Sequence, residues 1–341
     1  MGKYVCFGEI MARMNPIGYQ RIVQADELEI SYAGGEANVA VSLANFGKEA
    51  SFVTKLPEND LARSALRKLR SYGIDVSDVV IGGERMGIYF VEKGASQRAS
   101  KVIYDRKYSS IAMVQSQDFD WDKIFKGAEW FHFTGITPAL GDNVADICLE
   151  ACKKAKEKAI TVSCDLNYRN NLWSSEKAGQ VMGKLMEYVD VAIANEEDCD
   201  KVFKIKASNT DVTTGKLEKE GYKEVAETLS KRFNIPTVAI TLRGSLSAND
   251  NKWAGMLYSN NGQCYFSKEY LIHIVDRVGG GDSFGGGLIY ALSSGQEPQQ
   301  AIEFAVAASC LKHTIEHDFN EVTINEVKKL MSGDGSGRVQ R

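Results

Sequence analysis

The segment of this chain best equipped for chemistry lies late, at Asp276-Arg277-Val278-Gly279-Gly280-Gly281-Asp282, followed by SFGGGLIYAL. Three consecutive glycines let backbone N–H groups approach an anion closely. A helix starting near Asp282 adds its positive end at the same place. A carboxylate there can take the proton of an alcohol that attacks a bound phosphoryl group. The plain alternative is a glycine turn with Asp282 as an ordinary N-cap. A second segment, Ala33-Gly34-Gly35-Glu36-Ala37-Asn38-Val39-Ala40, also opens a helix with paired glycines. Asn38 offers a donor and acceptors to a ligand brought close by Gly34 and Gly35. Standing alone, it would read as a simple turn.

Rival nucleotide signatures fail on the residues. No G-x-x-x-x-G-K-[ST] loop occurs, and a G-x-G-x-x-G counted from Gly279 meets Phe284 at its sixth position. The H-R-D and D-F-G signatures of protein kinases are absent. Asp165-Leu166-Asn167-Tyr168-Arg169 ends an apolar run, so its polar residues emerge at the carboxyl edge of a sheet, where open α/β folds bind ligands. Arg169 can there grip a carboxylate or phosphate with its planar fork; the alternative is a surface arginine.

Apolar runs at 4–10, 50–56, 130–136, 160–167, 189–195 and 237–243 predict strands, several of them covered on both faces. Helical patterns at 36–47, 61–73, 142–159, 177–188, 223–234 and 298–314 alternate with them, which implies a mostly parallel sheet with helices on both sides. Residues 11–35 and 83–112 break the alternation with β-like patterning and read as strands projecting from the main sheet as a lid. Residues 206–222 are polar and read as a mobile surface insertion, and 333–341 as a disordered tail.

The 341 residues carry 41 Lys+Arg against 45 Asp+Glu, a formal charge of −4 that speaks against nucleic-acid or membrane-surface partners. With 44% hydrophobic residues the chain can build a large core. No apolar run reaches the roughly 18–20 residues of a membrane span, and the N-terminus lacks a signal pattern, so a cytoplasmic protein is expected. Seven scattered cysteines without a C-x-x-C pair read as reduced, buried thiols. His313 and His317 stand at a metal-compatible spacing but without an evident third ligand, so a surface or capping role is expected.

Taken together, an N-terminal GG-x-x-x-N and a C-terminal D-x-x-GGGD separated by an alternating α/β chain resemble the ribokinase-like (PfkB) family of sugar kinases, over residues 3–332. The resemblance implies an α/β fold: a three-layer α/β/α sandwich with a mostly parallel central sheet and a small β-sheet lid. The core would take residues 1–10, 36–82 and 113–332, and the lid 11–35 and 83–112. It implies an ATP-dependent phosphotransferase with Asp282 as catalytic base and the backbone of Gly279, Gly280 and Gly281 as anion hole.

Asp165-Leu166-Asn167-Tyr168-Arg169-Asn170-Asn171-Leu172-Trp173 resembles a D-x-N-x-R-x-x-L-W segment of 2-keto-3-deoxygluconate kinases and fructokinases. Gly87–Glu92 and Val102–Ser110, with a Y-x-R-x-x-S pattern, resemble the lid strands of the former. The implied substrate is a sugar acid, 2-keto-3-deoxy-D-gluconate, phosphorylated at its terminal hydroxyl to 2-keto-3-deoxy-6-phosphogluconate. Arg106 and Arg169 would hold the acid group, Tyr89 and Tyr104 its hydroxyls and carbons, and Gly34, Gly35 and Asn38 its hydroxyls. A neutral-sugar kinase such as a fructokinase is the alternative; a non-catalytic sensor and a nicotinamide oxidoreductase rank lower.

For ATP, Thr241-Leu242-Arg243-Gly244-Ser245 resembles the family's nucleotide loop, with Asn167, Asn195, Gly279 and Gly281 contributing. Asn195-Glu196-Glu197-Asp198 resembles its N-x-x-E motif, so Glu197 or Asp198 would organise Mg²⁺ through water. The sequence departs from the family at Arg277, where Thr or Ser is usual, at Gly280, often Ala, at Asp198, usually Glu, and at Pro57 and Ala62 near an expected glycine. K⁺ dependence and the choice between gluconate and galactonate epimers stay open. Exposed lid strands suggest a homo-oligomer.

Overall fold

Six strands rich in apolar residues, Glu49–Val53, Lys3–Phe7, Ala128–Thr134, Thr161–Asp165, Val191–Ala194 and Thr237–Ser245, lie side by side in that order, all parallel. Tyr4, Val5, Cys6 and Phe7 are consecutive and all buried, which requires packing on both faces. The structure, a computed structural model, describes residues 2–206 and 219–333. One face is covered by a cluster that includes Val39, Leu43, Phe284, Leu288, Ile302 and Phe304, from helices Gly35–Asn45, Gly280–Ser293 and Pro298–Lys312. The other face holds a second cluster with Ile147, Cys148, Cys152, Met182 and Leu229, from helices Asp142–Glu157, Ser175–Met186 and Lys219–Phe233. The result is a helix, sheet, helix sandwich.

The sheet continues past Thr237–Ser245 with strands that the apolar runs do not reveal. Asp250–Ser259 pairs antiparallel with that strand, and Cys264–Phe266 and Tyr270–His273 both pair with Asp250–Ser259. Helix Lys219–Phe233 starts inside the expected insertion; residues 207–218 and 334–341 lie outside the described residues.

A separate four-stranded sheet runs Glu29–Ala33, Met11–Asn15, Ile88–Glu92, Lys101–Asp105. Its strands come from the two segments that break the strand–helix alternation. Among the described residues no helix is long and apolar enough to cross a membrane.

Candidate active site

A cavity of about 790 Å³ opens at the carboxyl ends of the parallel strands, under the small sheet. Its floor is built by strand ends and helix starts, among them Asp165, Asn195, Thr241, Gly35 and Gly279. Open α/β sheets leave their ligand crevice there, because helix N-termini and strand-end loops converge on that edge.

Gly279 caps helix Gly280–Ser293 with φ of +82°, a left-handed conformation suited to glycine. A Cβ on it would lie 2.2 Å from the Asp318 carbonyl oxygen. No side chain caps this helix, so Asp282, in its first turn, is not the N-cap. Its Oδ2 accepts a 2.6 Å hydrogen bond from Asn38 Nδ2. Burial raises the Asp282 carboxyl to about 6, opposed by the Asn38 hydrogen bond, assisted by the Asp318 charge, and opposed again by Arg169 and Lys312.

The amide cradle differs from expectation at one position. The Gly280 N–H donates to the Arg277 carbonyl at 3.3 Å, and a Cβ on Gly280 would lie 2.4 Å from the His313 ring. The amides of Gly279, Gly281 and Asp282 have no acceptor among the described residues, and space is open beside Gly281. His313 is buried beneath the loop, packed on Trp253, where a surface position was one expectation; it also caps helix Pro298–Lys312.

Asn38 is buried, lines the cavity and donates its amide to Asp282. Gly34 and Gly35 line the cavity, and a Cβ on Gly34 would strike the Glu9 carbonyl oxygen at 1.8 Å. Glu36, between them and Asn38, was missed as a functional residue. Its buried carboxylate accepts from Thr134 N, Thr134 Oγ1 and Thr137 Oγ1, tying the helix start to a strand end.

Arg106, Tyr89 and Tyr104 descend from the small sheet to line the cavity. Arg106 is not a free cation: its Nε and Nη2 donate to Glu9 Oε2, and Ser109 Oγ donates to Glu9 Oε1 at 2.6 Å. Its Nη1 has no partner among the described residues. Glu9 was missed because an acid after an apolar strand gives no local sign of a partner nearly a hundred residues away. Tyr89 stacks on Tyr104 at 6.0 Å between ring centroids and donates its hydroxyl to Asp318 Oδ2. Asp318 and Asp276 both accept from the fully buried Arg13, each at 2.5 Å. Arg169 lines the opposite wall, with Nη1 donating to the Tyr168 carbonyl.

On the remaining side, Asn167, Asn195, Thr241 and Arg243 line the cavity. Gly244 and Ser245 do not: strand Thr237–Ser245 continues through them, paired with Lys252 and Asn251. Asn251, Trp253 and Arg277 line this side without having been singled out as ligand contacts. Arg277 Nη2 donates to the Ala248 carbonyl at 2.7 Å while its Nε is buried and unpartnered. Burial and the nearby Arg243 charge lower its pKa.

Asn195 caps helix Glu196–Phe203, accepting from Asp198 N at 2.7 Å. Asp198 is buried, accepts from Tyr168 N at 3.1 Å, and titrates near 6 chiefly through burial. Asp165 is raised well above the ordinary carboxyl range by burial, then by the charges of Asp198 and Asp282. Glu197 lies at the cavity's exposed edge. Among the described residues no three His, Cys, Asp or Glu cluster tightly enough to ligate a metal directly. An all-oxygen set whose buried Asp198 is raised by desolvation fits Mg²⁺ held through its own water shell.

These features agree with three comparisons. The profile of the pfkB family carbohydrate kinases matches residues 1–316. The chain is 32% identical over 333 residues to a 2-dehydro-3-deoxygalactonokinase of Haloferax volcanii, covering 98% of each protein. It is 27% identical to a 2-dehydro-3-deoxygluconokinase of Thermoproteus tenax, covering 90% of this chain and 87% of that protein. The crystal structure of a 2-dehydro-3-deoxygluconokinase from Thermotoga maritima superposes with a TM-score of 0.94 at 52% identity, covering 98% of this chain and all of that one. A carboxylate at the mouth of a free-amide cradle, on this fold and with these relatives, establishes that the chain belongs to the pfkB family of carbohydrate kinases.

Proposed function

We propose that the chain transfers the γ-phosphoryl group of ATP to the terminal hydroxyl of 2-keto-3-deoxy-D-gluconate, the 2-dehydro-3-deoxygluconate of its relatives' names. The carrying observation is Asp282, fixed by Asn38 beside the unpaired amides of Gly279 and Gly281. As the hydroxyl oxygen bonds to phosphorus, its proton passes to Asp282 and the bond to ADP breaks. The free amides receive the negative charge of the transferring group. Arg243 and Arg277 are placed to hold the donor's phosphates, with Thr241 and Asn195 nearby. Mg²⁺, held through water by Asp198 and Glu197, would neutralise donor phosphate charge.

The acid end of the substrate meets Arg169 and the open Nη1 of Arg106, with Tyr89 and Tyr104 against its carbons. Two cations favour a sugar acid over a neutral hexose such as fructose. Closing of the small sheet over the cavity would exclude water, so that sugar and not water receives the phosphoryl group. Use of ATP fits a cytoplasmic enzyme. Ile30 and Ile103, exposed on the small sheet, suit pairing between subunits, which sedimentation would test.

The galacto epimer is the second reading, favoured by the Haloferax relative's name. Measuring ADP release with MgATP and 2-keto-3-deoxygluconate, 2-keto-3-deoxygalactonate or fructose decides. The proposal expects the highest kcat/KM with the gluconate acid; a fructose preference would overturn it.

A further inference from the structure

Lys312, the last residue of helix Pro298–Lys312, is fully buried and has no role in the reaction described above. A buried ammonium is tolerated only where its donors are satisfied. Its Nζ donates to the Asp276 carbonyl at 3.2 Å and to the Val278 carbonyl. No carboxylate oxygen lies within 4.0 Å of it among the described residues, so its direct partners are backbone carbonyls. Those two carbonyls flank Arg277 in the segment that runs straight into the Gly279–Gly281 cradle.

Without Lys312 the buried Asp276 carbonyl and the partly buried Val278 carbonyl would both lose this donor. Asp276 and Asp318 already share Arg13. Lys312 thus forms no ion pair among the described residues, and its field reaches Asp282 from beneath the loop, as that of Arg169 does from the cavity wall.

Building on the kinase reading, we propose that Lys312 is a positioning residue that acts as a built-in cation. It clamps the Asp276 and Val278 carbonyls so that the Gly279 and Gly281 amides face the phosphoryl group, and it spares the chain any need for a dissolved monovalent cation such as K⁺.

The test uses Lys312→Met, which keeps volume without charge, and Lys312→Ala, which opens room for a small cation. Turnover should fall about 100-fold in both, the size of effect seen when one anion-stabilising donor is lost. The KM for the sugar acid should stay within about 3-fold, because its contacts with Arg169 and Arg106 are untouched.

The groups facing Asp282 are Asn38, Asp165, Asp318, Arg169 and Lys312. Those facing Lys312 are Asp276, Asp318, Asp282, Arg13 and His313. Losing Lys312 leaves Arg169 as the cation acting on Asp282, so the acid limb of kcat should move up by about one pH unit. Ammonium or K⁺ should restore Lys312→Ala about tenfold, tetramethylammonium should not, and the wild type should respond to none of them.

A folded Lys312→Met with wild-type turnover and an unmoved acid limb overturns the proposal. So does wild-type stimulation by K⁺, which also decides the matter if neither variant folds. Absence of wild-type turnover on any sugar acid would sink the kinase reading itself, whereas a normal wild type with unaffected variants sinks this inference alone.

Discussion

Replacing Asp282 with asparagine separates its basicity from its place in the structure. The side-chain carbonyl oxygen of the Asp282→Asn variant can still accept from Asn38 Nδ2, which lies 2.6 Å from Asp282 Oδ2 in the wild type. The side chain keeps its position and loses its ability to take a proton. A positioned general base contributes about 10²–10⁴-fold, so kcat should fall by that factor, about 3–5 kcal/mol of barrier, with both KM values changed less than about threefold. Stability should move the other way. A carboxyl that titrates near 6 in place of its ordinary 3.8 disfavours the folded state once ionised, by up to about 3 kcal/mol. The sign follows from the raised pKa: wild-type stability falls as pH rises from about 4 through 6, and the amide has no such loss. The variant should therefore equal the wild type near pH 4 and exceed its Tm increasingly up to pH 7. Coupled ADP-release assays and thermal melts across pH 4–8 measure both. Turnover within tenfold of wild type would refute Asp282 as the base. A Tm difference that stays flat with pH would refute the buried, strained carboxylate on which the magnitude rests.

Glu9→Gln leaves the buried Arg106 guanidinium without its counter-charge; it should cost about 3–5 kcal/mol in denaturant unfolding and raise the KM for the sugar acid more than that for ATP. Asp198→Asn removes one of the carboxylates proposed to hold hydrated metal, so half-maximal activity should require roughly tenfold more Mg²⁺ at unchanged sugar KM, read from a Mg²⁺ titration. Arg277→Thr should raise the KM for ATP at least about fivefold and leave that for the sugar acid unchanged, since the guanidinium lies on the Arg243 side of the cavity.

Local patterning made the parallel core readable. Strands such as Lys3–Phe7 are apolar throughout because both faces are covered, and the helices between them repeat at their own period. The antiparallel strands at 250–273 were harder to see. Asp250–Ser259 carries Asp, Asn and Lys at one end, and its partner Cys264–Phe266 is only three residues long. The glycine turn that opens helix Gly280–Ser293, with Asp282 in its first turn, was legible because the run of three glycines marks it. What escaped was pairing across the chain. Glu9 with Arg106, Asn38 with Asp282, and Arg13 with Asp276 and Asp318 join residues 97 to 305 positions apart, and no spacing rule reaches that far. Gly244 and Ser245 misled for the converse reason: a glycine after a strand reads as a turn, yet the antiparallel partner carries the strand two residues further.

The charges around the cavity are arranged in opposition, and this bears on how substrates assemble. Burial raises the proton affinity of Asp165, Asp198 and Asp282, helped at Asp165 by the charges of the other two, at Asp198 by Glu197 and at Asp282 by Asp318, with Arg169 the cation that opposes all three. Across from them Arg243 and Arg277 repel each other, and neither forms a salt bridge among the described residues. The charged forms of the three acids and of Arg277 are disfavoured as they stand, chiefly by burial. On the proposed reading a metal-bound polyphosphate would supply the opposite charge to both, its oxygens to the arginines and its ion to the acids. Binding it should lower the Asp282 pKa as well, since a cation near the carboxylates favours their ionised forms. The base is thus drawn toward its proton-accepting state by arrival of the donor, before the sugar hydroxyl is committed. The acid limb of kcat, which reports the ternary complex, should then lie below the Asp282 titration measured in the free protein. An acid limb at or above the free-protein value would show that the donor leaves Asp282 unaided.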